Sequence, residues 1–247
     1  MASTKPDRKQ MLGSWKIRDQ YFSDVHMFTR VKTVAELRNL KQTYRALYYM
    51  KEKHSGQTRK AMKYSDAMLP YIIHPLMMAC HALSMNLLDD ELLAAILLHD
   101  VCEDCSVAAE DLPFSPEVRR IVDLVTKKDH PGLTKEEYTR EYYQGISGDP
   151  KAMVVKILDR CNNVSTMALS FSDQKLNEYI QETEDHVMPL LKKLKQEEPE
   201  YHNAVFLIKY QLLSLLESLK VMLLEKYPDG KIPEKKQEDG NLWILKK

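Results

Sequence analysis

The sequence predicts an all-α protein, a helical bundle with additional helices at both ends. Only seven of its 247 residues are glycine, and Leu, Met, Lys and Glu are abundant, a composition that favours helix. Apolar residues recur at spacings of three and four through most of the chain, and no run of alternating polarity competes. Capping signals punctuate these stretches at regular intervals.

The elements follow in order. Residues 1–32 have weak periodicity and scattered aromatics (Trp15, Tyr21, Phe22, Phe28), which reads as an arm packed on the body. Thr33 with Glu36 has the form of a capping box, and Leu37, Leu40, Tyr44 and Leu47 continue the spacing toward a stop near Gly56. Helices are expected at about 75–85 and 89–102, then a loop through Asp111-Leu112-Pro113. Ser115-Pro116-Glu117 supplies N-cap, first helical position and first-turn acid for a helix to about Lys127. Asp129-His130-Pro131-Gly132 breaks it, Thr134 with Glu137 opens the next helix, and Asp149-Pro150 opens another. Two long helices, 173–196 and 200–226, follow around Glu197-Glu198-Pro199. The second carries Leu207, Ile208, Leu212, Leu215, Leu216, Leu219, Met222 and Leu223, a stripe wide enough to close the bundle or to serve a homodimer. Residues 227–247 form a tail, polar until Trp243-Ile244-Leu245. The domain reading is therefore an arm (1–32), one domain (33–226) and the tail.

Composition narrows function. Lys+Arg and Asp+Glu number 36 each, so no global field recruits nucleic acid or an anionic membrane, while a local site for a small charged ligand remains compatible. The N-terminus lacks a signal-like apolar region and no apolar run reaches spanning length, so the expected compartment is the cytoplasm. Cys102 and Cys105 form a lone C-x-x-C with neither a second pair nor a βαβ pattern around it. Reduced thiols are the favoured reading for these two, as for Cys80 and Cys161.

The chemistry concentrates in three segments. Leu97-Leu98-His99-Asp100-Val101-Cys102-Glu103-Asp104 ends an apolar helix with a His-Asp pair and, one turn later, two acids. On a continuous helix His99 and Glu103 share one stripe, Asp100 and Asp104 the next. Such charges at the end of a buried helix need a compensating cation or partner. Tyr71-Ile72-Ile73-His74-Pro75 sets a histidine before a helix with Pro75 suited to its first position. Lys156-Ile157-Leu158-Asp159-Arg160-Cys161-Asn162-Asn163 places Asp159 and Asn163 on one helix face. Two imidazoles with two carboxylates suit Mn²⁺, Fe²⁺ or Zn²⁺ better than Mg²⁺. His81 shares a face with His74; His26, His130, His186 and His202 read as surface or packing residues.

In order and context, His74, His99-Asp100 and Asp159 resemble the H…HD…D pattern of HD-domain metal-dependent phosphohydrolases. The flanking words sharpen the likeness. His54-Ser55-Gly56-Gln57-Thr58-Arg59-Lys60, Pro-Tyr-Ile-x-His-Pro, Leu-Leu-His-Asp-x-x-Glu-Asp, Asp149-Pro150 and Lys-x-x-Asp-Arg-x-x-Asn look like the hydrolase domain of RelA/SpoT-type alarmone enzymes, over roughly residues 40–195. With no synthetase-like segment following, the chain resembles a stand-alone small alarmone hydrolase. It departs from the pattern in an insertion from Ala61 to Leu69, in Cys105 for threonine, in Leu158 for alanine, and in Asn162 where an aromatic or histidine is common.

The resemblance implies an HD-domain bundle that removes pyrophosphate from the 3′ position of guanosine tetra- or pentaphosphate. It implies a divalent metal, Mn²⁺, on His74, His99, Asp100 and Asp159, with Glu103 and Asp104 orienting water and handling its proton. Arg59 is expected to stack on the purine, Lys60 to meet a phosphate and Asn163 to bond ribose or phosphate; these three are the substrate-binding residues. Lys156 and Arg160 either add charge there or satisfy neighbouring acids. His54 fits the family word, with a structural role favoured over bracing the substrate loop. The alternatives are an HD phosphohydrolase of another nucleotide, such as a 2′- or 3′-phosphate-bearing dinucleotide, and a non-catalytic nucleotide-sensing or scaffolding module. The paired acids argue against the last.

Overall fold

A computed structural model describes residues 23–60 and 68–233. Trp15, Tyr21 and Phe22 of the predicted arm, the residues 61–67 of the insertion and Trp243-Ile244-Leu245 of the tail lie outside the described residues. The described residues are overwhelmingly helical, as composition and spacing predict.

Helix α1 (Asp24–Leu37) buries Met27, Val31 and Ala35. It runs straight through Thr33, so the predicted capping box there is corrected: Ser23 takes the N-cap position, and the break falls at Asn39, in the left-handed region at φ 55°. Asn is among the few side chains that tolerate that conformation. Helix α2 (Lys41–Lys53) has no cap of its own. Instead the Asp90 carboxylate accepts from the backbone N–H of Gln42 and Thr43 at 2.9 and 2.8 Å. One acid thus closes the open end of α2 while sitting in the first turn of the helix that α2 packs against.

Two three-residue strands, β1 (Thr58–Lys60) and β2 (Met68–Pro70), pair antiparallel with Arg59 opposite Leu69 and Lys60 opposite Met68. This strand pair, β1 ending just before the insertion and β2 holding its last two residues, corrects the expectation of no β structure; three residues are too few to show a period of two.

Helices α3 (Ile73–Ser84) and α4 (Asp90–Leu98) form the centre. Every residue from Leu92 to Leu98 is buried. Truncating one such leucine to alanine typically costs about 2–5 kcal/mol. The predicted helix 89–102 is interrupted: α4 ends at Leu98, His99-Asp100 form a turn, and α5 (Val101–Cys105) follows. Pro75 is the third residue of α3 rather than the first, still in the turn where its missing N–H has no intrahelical partner to lose.

The downstream caps are as read. Ser115 accepts from Val118 N–H to open α6 (Pro116–Val125), Thr134 and Glu137 form a complete capping box on α7 (Lys135–Ile146), and Asp149 opens α8 (Pro150–Ser170). Helix α9 (Asp173–Glu182) continues through a π turn (Thr183–Val187) into α10 (Met188–Glu197). Pro189 explains the widening: without an N–H it leaves the regular i→i−4 ladder incomplete just behind it. Helix α11 (His202–Lys226) packs Ile208, Leu212, Leu216, Leu219 and Leu223 on the bundle, whereas Leu207 and Met222 of the predicted stripe face solvent beside Phe206 and Tyr210. All four cysteines are free thiols. No helix among the described residues is long and apolar enough to cross a membrane.

Candidate metal centre and its cleft

Three segments distant in sequence meet at one point. His74 comes from the first turn of α3, His99 and Asp100 from the turn between α4 and α5, and Asp159 from the middle of α8. The ligand atoms of His74, His99 and Asp159 all lie within 4.8 Å of one another. Asp100 is offset but reaches the same rings, with Oδ2 3.0 Å from His99 Nε2 and 3.7 Å from His74 Nε2. The imidazoles are buried, at 3 and 4% exposure.

Each ring is oriented by a protein acceptor. His99 Nδ1 donates to Ile96 O at 2.9 Å and His74 Nδ1 to Asn162 Oδ1 at 2.6 Å. With Nδ1 committed to those acceptors, each ring turns its Nε2 inward, the atom that would meet a metal ion, and the two nitrogens are 3.2 Å apart. Asp159 Oδ1 lies 3.4 Å from His74 Nε2. Converging imidazole nitrogens and carboxylates call for positive charge between them, and the two-nitrogen, carboxylate donor set fits a divalent metal ion. The same field acts on His99: burial alone would lower its imidazole, but Asp100, with Asp159, outweighs this and carries it up to about 9.

The carboxylates are held in turn. Tyr71, buried, donates a short hydrogen bond to Asp100 Oδ2. The His54 ring lies 4.6 Å from Tyr71, and its Nδ1 meets Gln57 Oε1 at 2.6 Å, so His54 braces Tyr71 and the segment leading into β1. Asp159 Oδ2 pairs with Lys156 Nζ at 3.0 Å, and Asp159 Oδ1 accepts from Asn163 Nδ2 at 2.6 Å. Asn163 therefore steadies Asp159 while lining the cleft. Arg160 satisfies a neighbouring acid, Glu182, at 2.5 Å, and its guanidinium lies 4.0 Å from the Tyr179 ring centroid.

The centre opens into a cleft of about 230 Å³. Glu103 and Asp104 line one part of it, Arg59, Lys127, Lys156 and Lys175 others. Burial, then the charge of Asp100, raises both acids above the ordinary carboxylate range, Asp104 to about 7. Lys60 pairs through its backbone with Met68, and its side chain lies outside the described residues. Sequence reasoning missed the acceptor role of Asn162, the Tyr71 bond and the lysines at 127 and 175. Asn162 is one residue from a singled-out position and Tyr71 stands inside a quoted motif, but their partners are 88 and 29 residues away. The remaining histidines do structural work or lie elsewhere: His186 stacks on Tyr143, His130 packs on Tyr138, and His202 bonds Lys195 O.

The chain is similar to several known proteins. A guanosine-3′,5′-bis(diphosphate) 3′-pyrophosphohydrolase of Aquifex aeolicus is 33% identical over 154 residues, covering 61% of this chain and 21% of that protein. The protein of the same name from Vibrio cholerae is 33% identical over 165 residues, covering 61% and 22%. The chain thus spans about a fifth of the length of these curated relatives. A solved structure described as a metazoan ortholog of SpoT that hydrolyzes ppGpp superposes with a TM-score of 0.54 at 22% identity, over 72% of this chain and 94% of that one, which shows a common fold. Residues 46–194, which hold all four candidate ligands, match the family model described as HD domain, and the chain belongs to that family.

Proposed function

We propose that this chain is a metal-dependent hydrolase that removes pyrophosphate from the 3′ position of guanosine 3′,5′-bis(diphosphate) or its pentaphosphate, leaving GDP or GTP. The observation that carries the reading is the pair of imidazole Nε2 atoms facing Asp100 and Asp159 beside a cleft that holds both raised-pKa acids and lysines. The names of the relatives support the substrate.

His74, His99, Asp100 and Asp159 would hold the ion, Mn²⁺ by family resemblance. Such an ion supplies Lewis acidity toward a phosphoryl oxygen and eases deprotonation of water. The chain's own residues do the rest. Lys127, Lys156 and Lys175 face the cleft, where ammonium groups offset phosphate charge. Glu103 and Asp104 stand beside the ligands and take up the proton of the attacking water; an Asp104 poised near 7 exchanges protons readily at neutral pH. Arg59, on β1, packs its planar cation against the purine, and Lys60 meets a phosphate. Asn163 acts on substrate indirectly, through Asp159. The absence of a spanning helix among the described residues fits a cytoplasmic setting.

The hairpin favours one alternative, an HD phosphohydrolase of another nucleotide, because the insertion lies between the strand bearing Arg59 and its partner. The test is product analysis over a panel of guanosine 3′-diphosphates, 2′- and 3′-phosphate-bearing dinucleotides and deoxynucleoside triphosphates with Mn²⁺. Pyrophosphate and GDP as preferred products support the reading. Preferential turnover of another member replaces it, and binding without turnover leaves a nucleotide-sensing module.

A further inference from the structure

A second cavity, of about 450 Å³, is walled by α1, α3, α8 and α11 and shares no lining residue with the metal-site cleft. Its volume falls in the range of small-molecule sites, mainly apolar with a few placed polar groups. Met27, Met77 and Cys80 give it a soft, sulfur-rich wall. Arg30 stands at its edge, donating to Ser84 Oγ at 3.0 Å, and Gln211 donates to Ser165 Oγ at 2.9 Å where α11 meets α8. Burial lowers the His81 imidazole, so it lines the cavity as a neutral donor–acceptor and Arg30 is the fixed positive charge.

Asn162 gives the cavity a functional connection. It is 8% exposed and lines the cavity, while its Oδ1 accepts from His74 Nδ1 at 2.6 Å. That bond fixes the amide's orientation and leaves Nδ2 as its remaining donor group. As an N–H donor on a residue that lines the cavity, it can be met by an acceptor atom of a ligand. Helix α3 makes a second connection, since His74, Met77 and His81 follow one another at helical spacing.

We propose that this cavity binds a small aromatic carboxylate and that its occupancy acts on the metal centre through Asn162. Thioether and thiol sulfurs favour an aromatic ring, the Arg30 fork matches a carboxylate, and the Asn162 amide accommodates an acceptor on the ring or its substituent. Its effect on the centre rests on His74 being a metal ligand; binding itself does not.

The test uses the full chain with indole-3-acetate as probe and Mn²⁺ as metal. Saturable binding is expected by ligand-observed NMR and calorimetry. Arg30→Glu, at an exposed position, should weaken it by about tenfold or more, and Met77→Trp should abolish it by filling the space. Saturating indole-3-acetate should change Mn²⁺ affinity in the wild type but not in Arg30→Glu, and by linkage saturating Mn²⁺ must change indole-3-acetate affinity by the same factor. No saturable binding, or binding indifferent to both substitutions, overturns the site. Equal probe affinity with and without Mn²⁺ overturns the coupling. If Mn²⁺ itself fails to bind, the coupling and the metal reading fall together, while the two substitutions still decide whether the cavity binds the probe.

Discussion

His74 and His99 face each other with Nε2 atoms 3.2 Å apart, and each commits its Nδ1 to a protein acceptor. Neither ring can turn its Nε2 away without losing that hydrogen bond. The arrangement is therefore preorganised for a cation, and the residue that preorganises His74 is Asn162, whose amide is not itself among the candidate ligands.

Asn162→Ala should leave all four candidate ligands present yet lower Mn²⁺ affinity by about 10- to 100-fold, the usual effect of removing an acceptor that orients a ligating histidine. His99→Ala should remove binding altogether. Titration calorimetry and elemental analysis read both. Full metal occupancy in His99→Ala would refute the assignment of the centre.

Asp104 supplies a pH prediction. Burial and the neighbouring Asp100 charge push its carboxyl up to about 7. If it accepts a proton in the rate-limiting step, it must be ionised, so kcat should rise with pH through neutrality and level off above. Asp104→Asn and Glu103→Gln should each lower kcat by about 10²- to 10⁴-fold, and Asp104→Asn should also erase the near-neutral limb. A limb that survives in Asp104→Asn places the titrating base elsewhere.

Arg59→Ala tests base recognition. Loss of a partly desolvated cation–π contact should raise KM by the equivalent of about 1–2 kcal/mol with little change in kcat. Metal content should be unaltered, because Arg59 lies on the hairpin and not among the ligand-bearing segments. An unchanged KM returns Arg59 to a solvated surface role.

Features decided by neighbouring residues were the legible ones. The caps at Ser115, Thr134 and Asp149 use side chains three residues from the N–H groups they meet, and all three stand where expected. The convergence of His74, His99 and Asp159 follows from motif order within a recognisable domain. What escaped notice depends on partners far along the chain. Thr33 and Glu36 have capping chemistry, but burial of Val31 and Ala35 carries α1 through them. The end of α4 at Leu98 is invisible in an apolar run whose helical spacing continues past it. Tyr71 on Asp100 and Asn162 on His74 join segments that only the fold brings together.

Arg160 and Glu182 yield the last prediction. Arg160 is 1% exposed, its Nη2 bonding Glu182 Oε1 at 2.5 Å and Tyr143 Oη at 2.9 Å. Glu182→Gln leaves a buried guanidinium without its counter-charge, and unfolding free energy should drop by about 3 kcal/mol, the lower end for a broken buried pair because the carboxylate keeps some solvent contact. Glu184→Gln, which breaks a surface pair with Lys220, should cost about 1 kcal/mol or less. The pH dependence carries a definite sign. Burial would raise the Glu182 carboxyl, but Arg160, then Lys127 and the Tyr143 hydrogen bond, hold it below its ordinary value of 4.5. Across that interval the unfolded chain binds more protons than the folded one, so stability rises with pH. The contribution is complete above the ordinary value and is lost as pH falls through the depressed folded one. Urea unfolding at stepped pH should therefore show a shallower acid slope in Glu182→Gln than in the wild type. Equal slopes, or equal losses in Glu182→Gln and Glu184→Gln, would show that the buried pair adds nothing beyond a surface one.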